Sequence, residues 1–126
     1  MKTPSLTCPV LFRLFFSLLL LATTSTYAAP SLLANGTPTV TTSDGVRLYV
    51  RVEGQGRPCV FVHGGPGAGS EVQETLAGPL LEQHFQMIYL DQRGSGRSAS
   101  STTKSYGLAR QVQDLEELRQ QLHLDK

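Results

Sequence analysis

The 126-residue chain has no tryptophan, two cysteines and three histidines, and its 11 basic and 10 acidic residues nearly cancel. Each scarcity excludes a class. Without a basic run there is no electrostatic footprint for a polyanion, so no nucleic-acid partner is expected. Cys8 and Cys59 are too few and too far apart for a disulfide scaffold, and neither has a neighbour at metal-ligand spacing, so no metal site is expected. Cys59 sits inside an apolar run, where a thiol behaves as a small buried hydrophobe. No repeat or low-complexity tract is present, and the length allows at most one domain.

The longest apolar stretch lies near the amino terminus. Lys2 and Arg13 precede an apolar core of nine residues, 14–22, and small residues follow up to Ala29. This order reads as a secretory signal cleaved after Ala28 or Ala29. The core is well short of the roughly 20 residues that a spanning helix needs. A secreted or periplasmic chain is therefore expected, with no membrane attachment once residues 1–29 are removed. Cys8 precedes the apolar core instead of following it, which argues against a lipid-modified cysteine. Asn35-Gly36-Thr37 is a glycosylation sequon, disfavoured by Pro38 behind it.

All 12 glycines fall after the signal, in residues 30–126. Val46, Leu48, Val50 and Val52 alternate with polar residues, which predicts a strand with one wet face, entered through Ser43-Asp44-Gly45. Residues 40–42 are its expected hairpin partner. Cys59-Val60-Phe61-Val62 is a continuous apolar run, as in a strand buried on both faces. Ser70 with Gln73 is a capping box for a helix packed through Val72, Leu76 and Leu80, which Gly78-Pro79 should break. Met87-Ile88-Tyr89-Leu90 is a second core strand ending at Asp91. Leu108, Val112, Leu115, Leu118 and Leu122 form one apolar stripe of a final helix that starts at Ser105 or Tyr106. Hairpin, strand, helix, strand, helix implies an α/β architecture with parallel strands and crossover helices.

A glycine-rich loop between a core strand and a helix lets something anionic approach backbone N–H groups. Three chemistries use this device. A phosphate-binding loop would need lysine at position 70, which is Ser70. A dinucleotide loop would use Asp91 on the ribose, but its third glycine also falls on Ser70, and a hairpin precedes the strand. No nicotinamide or other cofactor is expected. The third chemistry is an oxyanion hole, whose amides face an oxygen that becomes negative when a carbonyl is attacked.

His63-Gly64-Gly65-Pro66-Gly67 after one core strand, and Asp91-Gln92-Arg93-Gly94-Ser95-Gly96-Arg97-Ser98 after the next, resemble the α/β-hydrolase fold and its proline iminopeptidase branch of serine peptidases. Asp114-Leu115-Glu116-Glu117-Leu118-Arg119 is similar to that family's helix before the nucleophile strand. The resemblance runs from about Val40 to Lys126. It implies that the Gly65 N–H is the first oxyanion donor, with Gly64 shaping the turn. It also implies that His63, Pro66, Asp91, Arg93, Gly94 and Gly96 orient the loops, His63 not being the catalytic base. Gly65-Pro66 is a candidate cis bond.

The same resemblance implies a G-x-S-x-G elbow followed by an acid and a histidine, and none is in the chain. Gly96-Arg97-Ser98-Ala99-Ser100 lacks the final glycine, and His123 comes too early. The elbow is expected within roughly ten residues after Lys126, because strands in such folds are short. The expectation is thus an amino-terminal fragment, inactive alone, of a secreted serine hydrolase that releases N-terminal proline from a peptide. Another hydrolase acting on a small ester, amide or epoxide is the alternative, and a non-catalytic exported remnant is a second. In size-exclusion chromatography, isolated residues 30–126 should associate through the edge of the strand holding Val60. A monodisperse, cooperatively unfolding monomer would contradict this.

Overall fold

A computed structural model describes residues 33–65 and 67–125. Residues 1–32, which include the expected signal segment, Pro66 with its peptide bond, and Lys126 lie outside the described residues. In chain order the elements are β1 (Val40–Thr41), β2 (Arg47–Leu48), β3 (Val50–Gly54), β4 (Arg57–Val62), α1 (Glu71–Leu76), α2 (Gly78–Leu81), β5 (Phe85–Leu90) and α3 (Leu108–Gln121).

The alternating segment around Tyr49 is one strand in pattern and two in partners. Before Tyr49 it pairs antiparallel with β1, Val40 opposite Leu48. After it, β3 pairs antiparallel with β5. At the switch, the Tyr49 N–H donates to Ser98 Oγ at 2.7 Å and its carbonyl accepts the Asp91 N–H at 3.1 Å. The expected wet and dry faces hold throughout: Val46, Leu48, Val50 and Val52 are buried, while Arg47 is exposed and Tyr49 and Arg51 are half-buried.

The larger sheet has the order β3-β5-β4. β4 and β5 are parallel, in register from Arg57–Phe85 to Val62–Leu90, and α1 and α2 make the crossover between them. With β3 antiparallel, the sheet is mixed. Both glycine loops leave the carboxyl ends of neighbouring parallel strands, the end at which open α/β sheets place their ligands. Gly54 closes the turn into β4 with φ +88°, and a Cβ there would lie 2.5 Å from the Phe85 carbonyl, so only glycine fits.

Three expectations about these elements fail. β4 is not buried on both faces. It is the edge strand among the described residues, leaving Val60 37% and Val62 43% exposed and Cys59 half-buried. The capping box does not form, because Ser70 makes no cap and its hydroxyl goes to Asp91 and Glu74. The stripe Val72, Leu76, Leu80 is exposed, and the same helical stretch turns Ser70, Glu74 and Gly78 inward. Ion pairs from Glu74 to Arg51 and Arg97 hold that polar stripe against the sheet. The break at Gly78-Pro79 is present, with proline in the first turn of α2.

The final helix is split in the same way. α3 begins at Leu108, behind Gly107, two or three residues later than expected. Leu118 and Leu122 join Val40, Val46, Leu48, Val50, Val52, Ile88, Leu90 and Leu124 in the core, whereas Leu108 and Val112 stay exposed. Asp114 and Glu117 are buried instead, because their partners lie beneath the helix.

Leu118→Ala should therefore lower stability by about 2–5 kcal/mol, the usual cost of emptying a core leucine site. Val112→Ala, on the same stripe, should change it by no more than about 0.5 kcal/mol. Urea midpoints of the two variants check this, and equal losses would contradict the split stripe.

Candidate active site

The glycine loops, residues 63–65 with 67–69 and residues 91–98, lie side by side and together border a cleft of about 480 Å³. His63, Gly65 and Gly67 of the first loop, Gln92, Gly94 and Ser95 of the second, and Tyr106 and Gln111 line it. Tyr106 packs directly on Gly94, where a Cβ would lie 2.7 Å from its ring.

The second loop holds the first at three points. At the near end, the Gln92 N–H donates to His63 Nε2 at 3.0 Å, and Gln92 Nε2 donates to the His63 carbonyl at 2.6 Å. In the middle, the Gly67 N–H donates to Ser95 Oγ at 3.3 Å. At the far end, Asp91 Oδ1 accepts from the Ser70 N–H at 2.6 Å and the Ser70 hydroxyl at 2.7 Å. The other oxygen of Asp91 accepts from the Arg97 N–H and Nε, both at 2.8 Å. Gly69 and Gly96 touch over this carboxylate, and a Cβ on Gly96 would lie 2.4 Å from Asp91 Oδ2.

Asp91 is fully buried, and burial by itself would raise its pKa. The hydrogen bonds from Arg97 and Ser70 outweigh that and hold it well below the ordinary carboxylate range. Arg97 is raised in turn, first by Asp91. Its guanidinium also pairs with Glu74 at 2.5 Å and lies 3.6 Å over the Tyr49 ring. Glu74, lowered against its own burial by Arg97, Ser70 and Arg51, completes the cluster. Arg97 is thus the hub of a charge network reaching α1 and β3.

Arg93 borders the cleft but has nothing to offer a ligand. Its Nε and Nη2 hold Asp114 at 2.5 and 2.6 Å, while Nη1 and Nη2 hold Asp44 at 2.8 and 3.0 Å. Nη1 also reaches the Ser105 carbonyl at 3.1 Å, which occupies all five N–H groups. Asp114, then Asp44, raise its pKa further. The link joins the β1–β2 turn, the second loop and α3. Ser98 is equally committed, accepting from the Tyr49 N–H and donating to the Asp91 carbonyl at 2.5 Å. His123 is exposed behind α3.

Gly64 and Gly65 are the opposite case. Both are exposed, Gly65 has φ +79°, and among the described residues neither N–H donates to an acceptor. The Gly65 carbonyl accepts the Ala68 N–H at 3.3 Å, so the loop is closed without using those amides. Two adjacent uncommitted N–H groups on a glycine turn can hydrogen-bond a negative oxygen. Residue types alone gave Ser70 a different role, as a helix cap, and did not single out Glu74, Gln92 and Ser95; the partners of these four are 4 to 29 positions away in sequence.

Next to this network, Glu117 holds the β1–β2 turn through the Ser43 N–H and hydroxyl, each at 2.7 Å. Burial works to raise its pKa, but Ser43, Arg110 and Gln113 bring it down to about 2 from 4.5. A depressed carboxylate stabilises the fold above its unfolded pKa and loses that contribution as pH falls through the folded value. Glu117→Gln should thus be less stable than the parent at neutral pH, with the gap closing between about pH 5 and 2. Denaturant titrations across that range test this, and a gap independent of pH would contradict it.

Residues 57–126 match the family model described as alpha/beta hydrolase fold. A non-heme chloroperoxidase from Kitasatospora aureofaciens is 41% identical over 61 residues, covering 48% of this chain and 22% of that protein. The proline iminopeptidase of Saccharolobus solfataricus is 35% identical over 82 residues, covering 62% and 26%. Among solved structures, a proline iminopeptidase-related protein from Thermus thermophilus superposes with a TM-score of 0.66 at 28% identity, covering 74% of this chain and 34% of that one. An esterase from Exiguobacterium antarcticum gives 0.62 at 31%, covering 71% and 32%. The chain spans about a quarter of the length of its curated relatives. With the strand order, the crossover and the matched residues in agreement, the chain belongs to the alpha/beta hydrolase fold family.

Proposed function

We propose that this chain is the amino-terminal part of an exported serine hydrolase, with the Gly65 N–H, aided by Gly64, as oxyanion donor. The observation that carries this reading is the pair of uncommitted amides on a turn tied at three points to its neighbour. A serine beyond position 126 would attack the substrate carbonyl, whose oxygen gains negative charge where those amides can receive it. His63 is not the base, since both ring nitrogens face groups of the loops themselves. Asp91, Arg93, Gly94 and Gly96 orient the loops.

The substrate favoured is a peptide with N-terminal proline. The matches to proline iminopeptidases extend over 75–82 residues, against 61–62 for the haloperoxidases. The higher identity of the shorter chloroperoxidase match supports a second reading, an enzyme of haloperoxidase or esterase type.

The protein expressed from its complete gene should carry a serine in a G-x-S-x-G turn within about ten residues of Lys126. A fluorophosphonate should label that serine, and proline p-nitroanilide should be cleaved in preference to p-nitrophenyl acetate. Preference for the acetate, or bromination of monochlorodimedone, would favour the second reading. Absence of the serine would refute both.

A further inference from the structure

We infer that Gln92 is the positioning residue that aims the Gly64 and Gly65 amides, an inference that rests on the oxyanion role proposed for them. The argument begins with peptide geometry. In a trans peptide the C=O of one residue and the N–H of the next lie in one plane and point in opposite directions. No cis bond occurs among the described residues. Holding a carbonyl therefore aims the following amide without touching it.

Both relevant carbonyls are held. The His63 carbonyl, in one plane with the Gly64 N–H, accepts from the Gln92 side chain at 2.6 Å. The atom at that distance from a carbonyl oxygen must be the NH₂ of the amide, which fixes the side-chain orientation. The Gly64 carbonyl, in one plane with the Gly65 N–H, lies 3.3 Å from His63 Nδ1. Whether Nδ1 carries a proton is decided at the other ring nitrogen. His63 Nε2 accepts the backbone N–H of Gln92 at 3.0 Å, so its lone pair is in use and the proton of the neutral ring sits on Nδ1. Nδ1–H then donates to the Gly64 carbonyl. Gln92 thus sets one peptide plane with its side chain and the other with its main chain, through the histidine tautomer.

His63 is buried and Gln92 half-buried, and Gln92 lines the same cleft as Gly65. Glycine makes such bracing necessary. Gly64 and Gly65 have no side chain to restrict them, and a peptide between two glycines flips readily unless its carbonyl is tied.

Gln92→Met removes the donor and keeps the length. Gln92→Glu keeps shape and polarity but places a carboxylate oxygen against the His63 carbonyl. Both should be made in the protein expressed from its complete gene, with ¹⁵N-labelled glycine. The residual dipolar couplings of the Gly64 amide should change in both variants. With the preferred substrate, kcat should fall about tenfold to a hundredfold, somewhat less than loss of a whole oxyanion donor, with KM within about twofold. A purely structural or packing role predicts instead that Glu is tolerated and that thermal midpoint, not kcat, responds. Unchanged couplings, or unchanged kcat in both variants, would overturn the inference. If the parent protein neither reacts with the fluorophosphonate nor turns over substrate, the oxyanion reading fails, and the couplings still decide whether Gln92 aims the amide.

Discussion

The fold near the cleft is organised around one buried carboxylate. Asp91 directly follows the central strand β5 and accepts hydrogen bonds from Ser70, behind one loop, and Arg97 on the other. An unpaired carboxylate at that depth would cost several kcal/mol, so both loops must deliver their donors together. The requirement explains why the two loops touch glycine to glycine at Gly69 and Gly96: any Cβ on Gly96 would occupy the space of the charge. A loop pair closed in this way is braced by its own side chains. That is the condition under which amides left over from the closure, those of Gly64 and Gly65, can serve an oxygen that arrives later.

The same electrostatics decides how the helices sit. Glu74 on α1 and Asp114 and Glu117 on α3 are buried, each against arginine. Once these groups are committed inward, the rotation of each helix is set, and apolar residues nearly half a turn away are carried outward. Val72, Leu76 and Leu80 on one side, and Leu108 and Val112 on the other, are the consequence. An open groove of about 450 Å³, lined by Val60, Val62, Val112 and Leu115, lies between α3 and β4, the edge strand among the described residues. Breaking one of these buried ion pairs would strand the other charge, which keeps each helix in its rotation.

Reading the sequence for pattern worked where the pattern has a local cause. The alternation 46–52 is a strand because successive side chains must point to opposite faces, and its dry face is dry. The break at Gly78-Pro79 follows from the proline ring, and the parallel pairing of β4 with β5 from the intervening helix. The α/β-hydrolase resemblance, carried by His63-Gly64-Gly65 and Asp91 to Ser98, led to the right fold family. Reading failed where a partner lies far off in the chain. Ser70 followed by Gln73 has the form of a capping box, yet its hydroxyl is taken by Asp91, 21 positions away. Leu108 and Val112 have core spacing, yet nothing in their own segment reveals that Asp114 is tied to Arg93.

The amino-acid sequence by itself determined the element order, the two glycine turns and the residue types able to line them, because backbone torsions and apolar periodicity are properties of neighbours along the chain. Only the tertiary structure decided which polar groups are spent on one another and which remain available. Arg93 has every donor occupied, and the amides of Gly64 and Gly65 have none engaged among the described residues. The physical reason is that a hydrogen bond is allotted by distance in space, and residues 29 positions apart, such as His63 and Gln92, become adjacent only when parallel strands lie side by side.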